Sequence, residues 1–396
     1  MPSPESDPVS DRRGIGFRAT DYSPPINMSI QEIGANTMAS FRYKTFGYAA
    51  PSAGARLQPF SFERRALRPN DVAMEILYAG VCHSDLHWAR NDWGWSNYPV
   101  VPGHEIVGRV IEVGSEVTRF KVGDPVAVGC MVDSCQHCDQ CRRGEEQLCR
   151  EGNTGTYGGL DRITKEMTQG GYSKHVVVRQ EFVLRVPDGL DLSRAAPLLC
   201  AGITTYSPLR TWNVGPGSRV GVIGLGGLGH MAVKLAAGLG ANVTVMSRTP
   251  DKRADALALG ADQLLVSTDP DAMMQAANGF DLIIDTVPNK HDLTPYLPLL
   301  DVDGTLVIVG QIGPLDEMSS VPLLLGRRRI AGSPIGGIRE TQELLDFCAR
   351  KNILPECETI RMDEINEAFE RMERADVRYR FVIDMASLAK PVDATA

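Results

Sequence analysis

A chain of 396 residues is long enough for two or three domains, and its 43% hydrophobic and 23% charged residues are those of a globular protein. It holds no apolar run long enough to span a membrane. With 41 basic against 49 acidic residues its net charge of -8 repels polyanions, so neither a membrane nor a nucleic acid is an expected partner. Residues 1–37 are polar and proline-rich, without the apolar core of a secretory signal, and a segment of about 1–40 reads as a disordered extension. Met38 directly precedes the first strand-like patterning and reads as the natural start.

From about Phe41 to residue 190 come short β runs broken by Gly and Pro: "DVAMEILYAGV", "EIVGRVIEVG", "GDPVAVG", "YSKHVVVR". Many short strands with such turns predict a compact, barrel-like β domain. Within it Cys135, Cys138, Cys141 and Cys149 stand at Cys-x2-Cys-x2-Cys-x7-Cys, in a lobe at about 130–150. Four thiolates so spaced can close a tetrahedral zinc site, which leaves no open position for chemistry and is therefore structural. Four of nine cysteines in one short stretch favour metal over disulfides, hence a reducing, cytoplasmic compartment.

Beyond "LLCAGITTYSPL" the rhythm changes. "SRVGVIG", "NVTVMS", "QLLVS", "FDLIIDTV", "GTLVIVG" and "RRRIAGS" read as six apolar strands separated mostly by helical segments, which predicts a doubly wound parallel sheet over 191–335. Its first turn is Gly224-Leu225-Gly226-Gly227-Leu228-Gly229, a Gly-x-Gly-x-x-Gly loop between strand and helix. Without Cβ atoms such a loop turns tightly and lets a pyrophosphate reach backbone N–H groups at the positive end of the helix. An NAD site would carry an acid at the end of the second strand; here Ser247 stands there, followed by Arg248 and Lys252. A hydroxyl and two cations suit a ribose phosphate, so NADP is the expected cofactor; ordinary surface charge is the other reading of Arg248 and Lys252. Residues 336–386 have helical spacing followed by a strand and read as a return to the first domain, and 387–396 read as a tail.

Cys82, His104 with Glu105, and Cys200 are separately unremarkable. Together a Cys2His set could hold a catalytic zinc with one open position, at the junction of the two domains. At these residues the chain resembles the zinc-containing medium-chain alcohol dehydrogenases, and within them the cinnamyl-alcohol-dehydrogenase-like branch with its bacterial NADPH-dependent aldehyde reductases. "GHEIVGRVIEVGSEV" matches the family's Gly-His-Glu-x2-Gly-x5-Gly-x2-Val signature from Gly103 to Val117, and "GVCHSDLH", "GLGGLGH", "GSPIGGIRET" and "VRYRFVID" are branch-like.

The resemblance implies a GroES-like β-barrel catalytic domain followed by a Rossmann domain. It implies catalytic zinc on Cys82, His104 and Cys200 with Glu105 as a transient ligand, Asp85 holding the metal-bound histidine, and a proton relay through Ser84 and His87. Thr204, the glycine loop, Ser247 to Lys252, Thr286, Gly310 and Ser333 to Ile335 fall at its cofactor-contact positions. It also implies two zinc ions per chain, small-molecule alcohol and aldehyde substrates, and a homodimer. Trp88, Trp93, Trp95 and Tyr98 read equally as pocket walls or as packing anchors. The competing readings are an NAD-linked zinc polyol or alcohol dehydrogenase, and a nonenzymatic zinc- and nucleotide-binding protein.

Overall fold

The computed structural model describes residues 43–310 and 312–389. The expectations for the 1–40 extension, for Met38 and for the tail beyond 389 lie outside the described residues. Strands β1 (Tyr43–Ala49) and β2 (Gln58–Arg64) form an antiparallel pair. Then come β3 (Asp71–Val81), β4 (Ile106–Val113), β5 (Pro125–Val128), the short pair β6 (Met131–Asp133) and β7 (Thr154–Gly155), β8 (His175–Arg179) and β9 (Leu184–Arg185). Helix α1 (His83–Arg90) follows β3 directly, and the single-turn α2 (Asp139–Arg142) lies in the four-cysteine lobe.

After α3 (Leu192–Ala195) and α4 (Ala201–Thr211) come six parallel strands: β10 (Arg219–Ile223), β11 (Asn242–Ser247), β12 (Gln263–Val266), β13 (Phe280–Asp285), β14 (Leu300–Ile308) and β15 (Arg329–Gly332). They are crossed by α5 (Gly229–Gly238), α6 (Arg253–Ala258), α7 (Pro270–Gln275) and α8 (Val321–Gly326). Their spatial order, β12-β11-β10-β13-β14-β15, reverses between β10 and β13, and that switch point is where an open α/β sheet forms its ligand crevice. These are the six segments singled out by their apolar runs. A strand covered by helices on both faces has no polar side to show, so its sequence is continuous rather than alternating.

The chain then crosses back. Helix α9 (Ile338–Lys351) buries Leu344, Leu345, Phe347 and Cys348 and stops at Asn352, whose φ of 52° is the left-handed conformation common just past a helix end. After β16 (Cys357–Arg361), α10 (Ile365–Glu373) and β17 (Arg380–Asp384), the two strands join the first sheet in the order β16-β17-β3-β4-β5-β9, with β8 also on β3. The sequence reading had missed β16, a short strand with only one buried residue and therefore little apolar signal. Three buried cores result: one on each side of the six-stranded sheet, the larger continuing beneath α4 and α9, and one in the first domain. Among the described residues no helix is long and apolar enough to cross a membrane.

Candidate active site and nucleotide cleft

Four side chains of ligand type meet between the two sheets. Cys82 caps the start of α1, His104 and Glu105 sit just before β4, and Cys200 caps the start of α4. All four are buried, and their ligand atoms lie within 4.8 Å of one another. The Cys82 and Cys200 sulfurs are 3.9 Å apart. Two Zn–S bonds of about 2.3 Å at a tetrahedral angle would set them roughly 3.8 Å apart, so the pair fits zinc as it stands. The hydrogen bond with Cys200 is the largest influence holding the Cys82 thiol well below the usual thiol range; Arg380 and His104 add to it and burial opposes it.

Asp85 organises this cluster. Wholly buried, it accepts hydrogen bonds from Cys82 N–H (3.0 Å), Gly103 N–H (3.1 Å) and the Tyr172 hydroxyl (2.8 Å). The His104 Nδ1 lies 3.0 Å from Asp85 Oδ1. An Nδ1–H given to the carboxylate leaves Nε2 as the free nitrogen of the ring, the tautomer a metal ligand needs. Asp85 is three residues past Cys82 in a reciprocal cap of α1, so one helix start places both.

Glu105 Oε1 is bonded by the Arg380 guanidinium, whereas Oε2 is buried with no hydrogen-bond partner among the described residues. Burial pushes Glu105 up to about 7, against the lowering charge of Arg380. Room for this carboxylate comes from Gly80 on β3, where a Cβ would fall 1.9 Å from Glu105 Oε2. Sequence reasoning missed Arg380. A cation in the apolar strand "RFVID" was the available signal, because a buried guanidinium needs a partner. It also missed Tyr172, and Cys130, whose hydrogen bond is the first of the influences raising the Cys200 pKa.

Ser84 and His87 lie one turn apart on α1. Ser84 Oγ is 3.7 Å from the Cys82 sulfur, and His87 Nδ1 is 2.7 Å from Asp92 Oδ2 at the half-exposed end of the helix. Aromatic rings lead outward from the cluster, with His104 to Tyr157 at 5.7 Å, Tyr157 to Trp88 at 5.4 Å and Trp88 to Trp93 at 6.3 Å. Tyr98 anchors the loop, its single hydroxyl proton shared between the Trp88 and Ala89 carbonyls at 3.1 and 3.0 Å. Trp95, 54% exposed, lies tilted against Trp93 with ring centroids 5.7 Å apart.

Beside this cluster the glycine loop follows β10. Gly224 needs its φ of 88°, a Cβ on Gly229 would strike the Gly224 carbonyl at 2.2 Å, and a Cβ on Gly226 would meet nothing within 4 Å. Turn, open face and close helix packing are the three tasks of a pyrophosphate-binding loop. Arg380 reaches this loop too, its Nη1 lying 3.0 Å from where a Cβ on Gly227 would sit. Ser247 ends β11; Arg248 is exposed, and its guanidinium has no ion-pair partner among the described residues. Lys252 reaches back to the Leu225 carbonyl at 3.3 Å. Thr204 is buried one turn after Cys200, Thr286 donates to the Ile223 carbonyl (2.7 Å), Gly310 N–H to Asp285 O (3.2 Å), and Ser333 N–H to Ile308 O (3.2 Å). Thr286, Gly310 and Ser333 follow the carboxyl ends of β13, β14 and β15, whereas Thr204 lies on α4. His230, just past the loop, is wholly buried and stacked 5.0 Å from Tyr379, and burial lowers its pKa to about 3.

The four-cysteine lobe is a second ligand set, again within 4.8 Å. Cys135 and Cys141 sulfurs are 3.8 Å apart. Backbone N–H groups of Arg150 and Cys141 point at Cys138 Sγ, each at 3.5 Å, and lower its pKa to about 6; burial pushes Cys141 up to about 12.

Comparison with known proteins agrees with this architecture. Residues 68–188 match the alcohol dehydrogenase GroES-like domain, and residues 227–350 match the zinc-binding dehydrogenase domain. The chain thus belongs to the zinc-containing medium-chain alcohol dehydrogenases, on the branch that includes the cinnamyl alcohol dehydrogenases. It is 56% identical over 342 residues to the NADP-dependent alcohol dehydrogenase C 1 of Mycolicibacterium smegmatis, covering 86% of this chain and 98% of that one. The 8-hydroxygeraniol dehydrogenase of Catharanthus roseus is 52% identical over 351 residues, 88% of this chain and 96% of the relative. Among solved structures, a cinnamyl alcohol dehydrogenase of Sorghum bicolor superposes with a TM-score of 0.85 at 46% identity, and the Helicobacter pylori enzyme complexed with NADP(H) with 0.82 at 42%. Each alignment covers 88% of this chain and 100% of the other.

Proposed function

We propose that the protein catalyses reversible hydride transfer between NADP(H) and primary alcohols or aldehydes. The observation that carries this reading is Arg380, one buried guanidinium that pairs with Glu105 in the four-ligand cluster and packs on Gly227 of the glycine loop. It couples a zinc-type site to a dinucleotide-type site at the distance one side chain spans. Cys82, His104 and Cys200 would hold the catalytic zinc, and the unpartnered Glu105 oxygen is a fourth donor. Cys135, Cys138, Cys141 and Cys149 would hold the structural zinc. In domain terms, 41–190 and 336–386 build the catalytic domain and 191–335 the nucleotide domain.

When bound, zinc supplies Lewis acidity at the substrate oxygen and the reduced nicotinamide supplies the hydride. The chain's own residues do the rest. Asp85 fixes the His104 tautomer and, through Cys82 N–H, the start of α1. Ser84 exchanges a proton with the substrate oxygen, and His87, paired with Asp92, stands at the solvent end of that path. The Tyr157, Trp88 and Trp93 rings give the approach an apolar, aromatic wall, which supports aryl and other apolar aldehydes as substrates. Arg248 and Lys252 would receive the ribose phosphate. Thr204, Thr286, Gly310, Ser333 and Ile335 would line the rest of the cofactor. The thiolate-rich ligand sets require a reducing location, which the cytoplasm provides.

Oxidation of NADPH against NADH with a panel from short aliphatic to cinnamyl-type aldehydes tests this. Turnover with NADPH, at least about tenfold better than with NADH in kcat/KM, is expected. Protein with both zinc sites filled and no turnover on any aldehyde would move the case to a nonenzymatic binder. We also propose a homodimer through the free edge of β15 and the face of α8, where Leu324 and Leu325 are 74% and 83% exposed. A light-scattering mass of one chain would overturn that.

A further inference from the structure

Helix α9 begins at Ile338, and its N-cap, Gly337, has no side chain with which to cap it. The first N–H groups of a helix have no partner within it and need one from elsewhere. Here the acceptor comes from the four-cysteine lobe, 192 residues earlier: Glu146 Oε2 takes the Ile338 N–H at 2.9 Å. The two backbones also touch. A Cβ on Gly337 would fall 1.8 Å from the Gly144 carbonyl oxygen, although its φ of -73° and ψ of 167° suit any residue. Glycine is required at 337 by this contact and not by conformation.

The segment so held runs from β15 to α9, across from one domain to the other. Ile335 and Ile338 pack against both large cores. Ser333 N–H ties one end to Ile308 at the tip of β14, and Glu146 ties the other. Beneath the segment lies a small internal cavity, lined among others by Cys130, Leu199, Ile203, Ile335 and Thr341. At about 10 Å³ this void is no larger than one water, so the segment is fixed by packing together with the bonds at its two ends, of which the Glu146 cap is one.

We propose that Glu146 is a positioning residue for the cofactor: by capping α9 it makes the four-cysteine lobe the support on which the cofactor-contact segment 333–335 is placed. The inference rests on the NADP(H) reading of the cleft above. It gives the lobe a task besides its own folding, since a metal-clamped loop is a firmer anchor than the short loop Glu146 would otherwise occupy.

The test is the NADPH dissociation constant, from cofactor fluorescence, for wild type, Glu146→Ala, Glu146→Gln and Gly337→Ala, with zinc per chain determined on each sample. Glu146→Ala should weaken NADPH about tenfold, the size expected for losing one charge-assisted hydrogen bond. KM for NADPH should rise equally, while kcat at saturating cofactor and zinc content stay near wild type. Glu146→Gln keeps an acceptor and should bind within about threefold of wild type. Gly337→Ala, which pushes lobe and segment apart, should resemble Glu146→Ala. NADPH affinity unchanged in both Glu146→Ala and Gly337→Ala, even with a lowered melting temperature, would overturn the proposal. If Glu146→Ala does not fold, Gly337→Ala decides alone. Wild-type protein that binds no NADPH would instead remove the cofactor reading, and this inference with it.

Discussion

Replacing Cys200 by Ser is expected to cut bound zinc from two ions per chain to one and to lower kcat/KM for aldehyde reduction by about 1000-fold or more. The reason is geometric. Cys200 and Cys82 form the sulfur pair whose 3.9 Å separation fits one metal, and among the described residues the cluster holds, besides His104, only Glu105, one of whose oxygens is taken by Arg380. The second ion should remain, because the four-cysteine lobe shares no ligand with this site. Asp85→Asn makes an informative contrast. It keeps the size but has one acceptor oxygen where Asp85 uses both, so it loses either the Cys82 or the Gly103 N–H bond along with the charge facing His104. No ligand is itself removed, and a milder loss of roughly 10- to 100-fold is expected, with weakened rather than abolished zinc binding. Metal analysis and steady-state kinetics on the same preparations check both. Full activity of Cys200→Ser with two zinc ions bound would contradict the assignment of the site.

Ser247→Asp is expected to have the second largest effect, on cofactor choice. An added carboxylate at the end of β11 would repel a ribose phosphate and accept the hydroxyls of an unphosphorylated ribose. We expect kcat/KM with NADPH to fall about 100-fold and that with NADH to rise, reversing the preference. Arg248→Ala should go part of the way, because Lys252 is also engaged with the Leu225 carbonyl and remains near the loop. An unchanged NADPH to NADH ratio in Ser247→Asp would show that the phosphate is recognised elsewhere and that Arg248 and Lys252 are ordinary surface charges.

The parts legible without a structure are those whose chemistry is local in the chain. Four cysteines inside fifteen residues point to a metal lobe because that spacing suits a tetrahedral four-thiolate site and favours metal over disulfides. The glycine loop could be read because strand, turn and helix follow one another directly, and the tight approach of Gly229 to the Gly224 carbonyl lies within that unit. The six buried strands announced themselves by continuous apolar runs. Cys82, His104 and Cys200 were another matter: single residues without mutual spacing, they suggested a Cys2His set only when taken together, a family resemblance gave them their roles, and the fold brings Cys82 to Cys200 across 118 positions.

What only the tertiary structure decided are the contacts that support these groups. The Arg380 bond to Glu105 spans 275 positions, the Tyr172 bond to Asp85 spans 87, and Glu146 reaches Ile338 across 192. None has a periodicity or a motif, because the partners of each come from elements far apart in the chain that only the fold brings together. The sequence by itself therefore determined which chemistry the chain carries, through short-range spacing that any fold must respect. The three-dimensional structure alone determined how that chemistry is held: buried charges and uncapped helix ends find partners wherever the folded chain brings them, and distance along the sequence places no constraint on that choice.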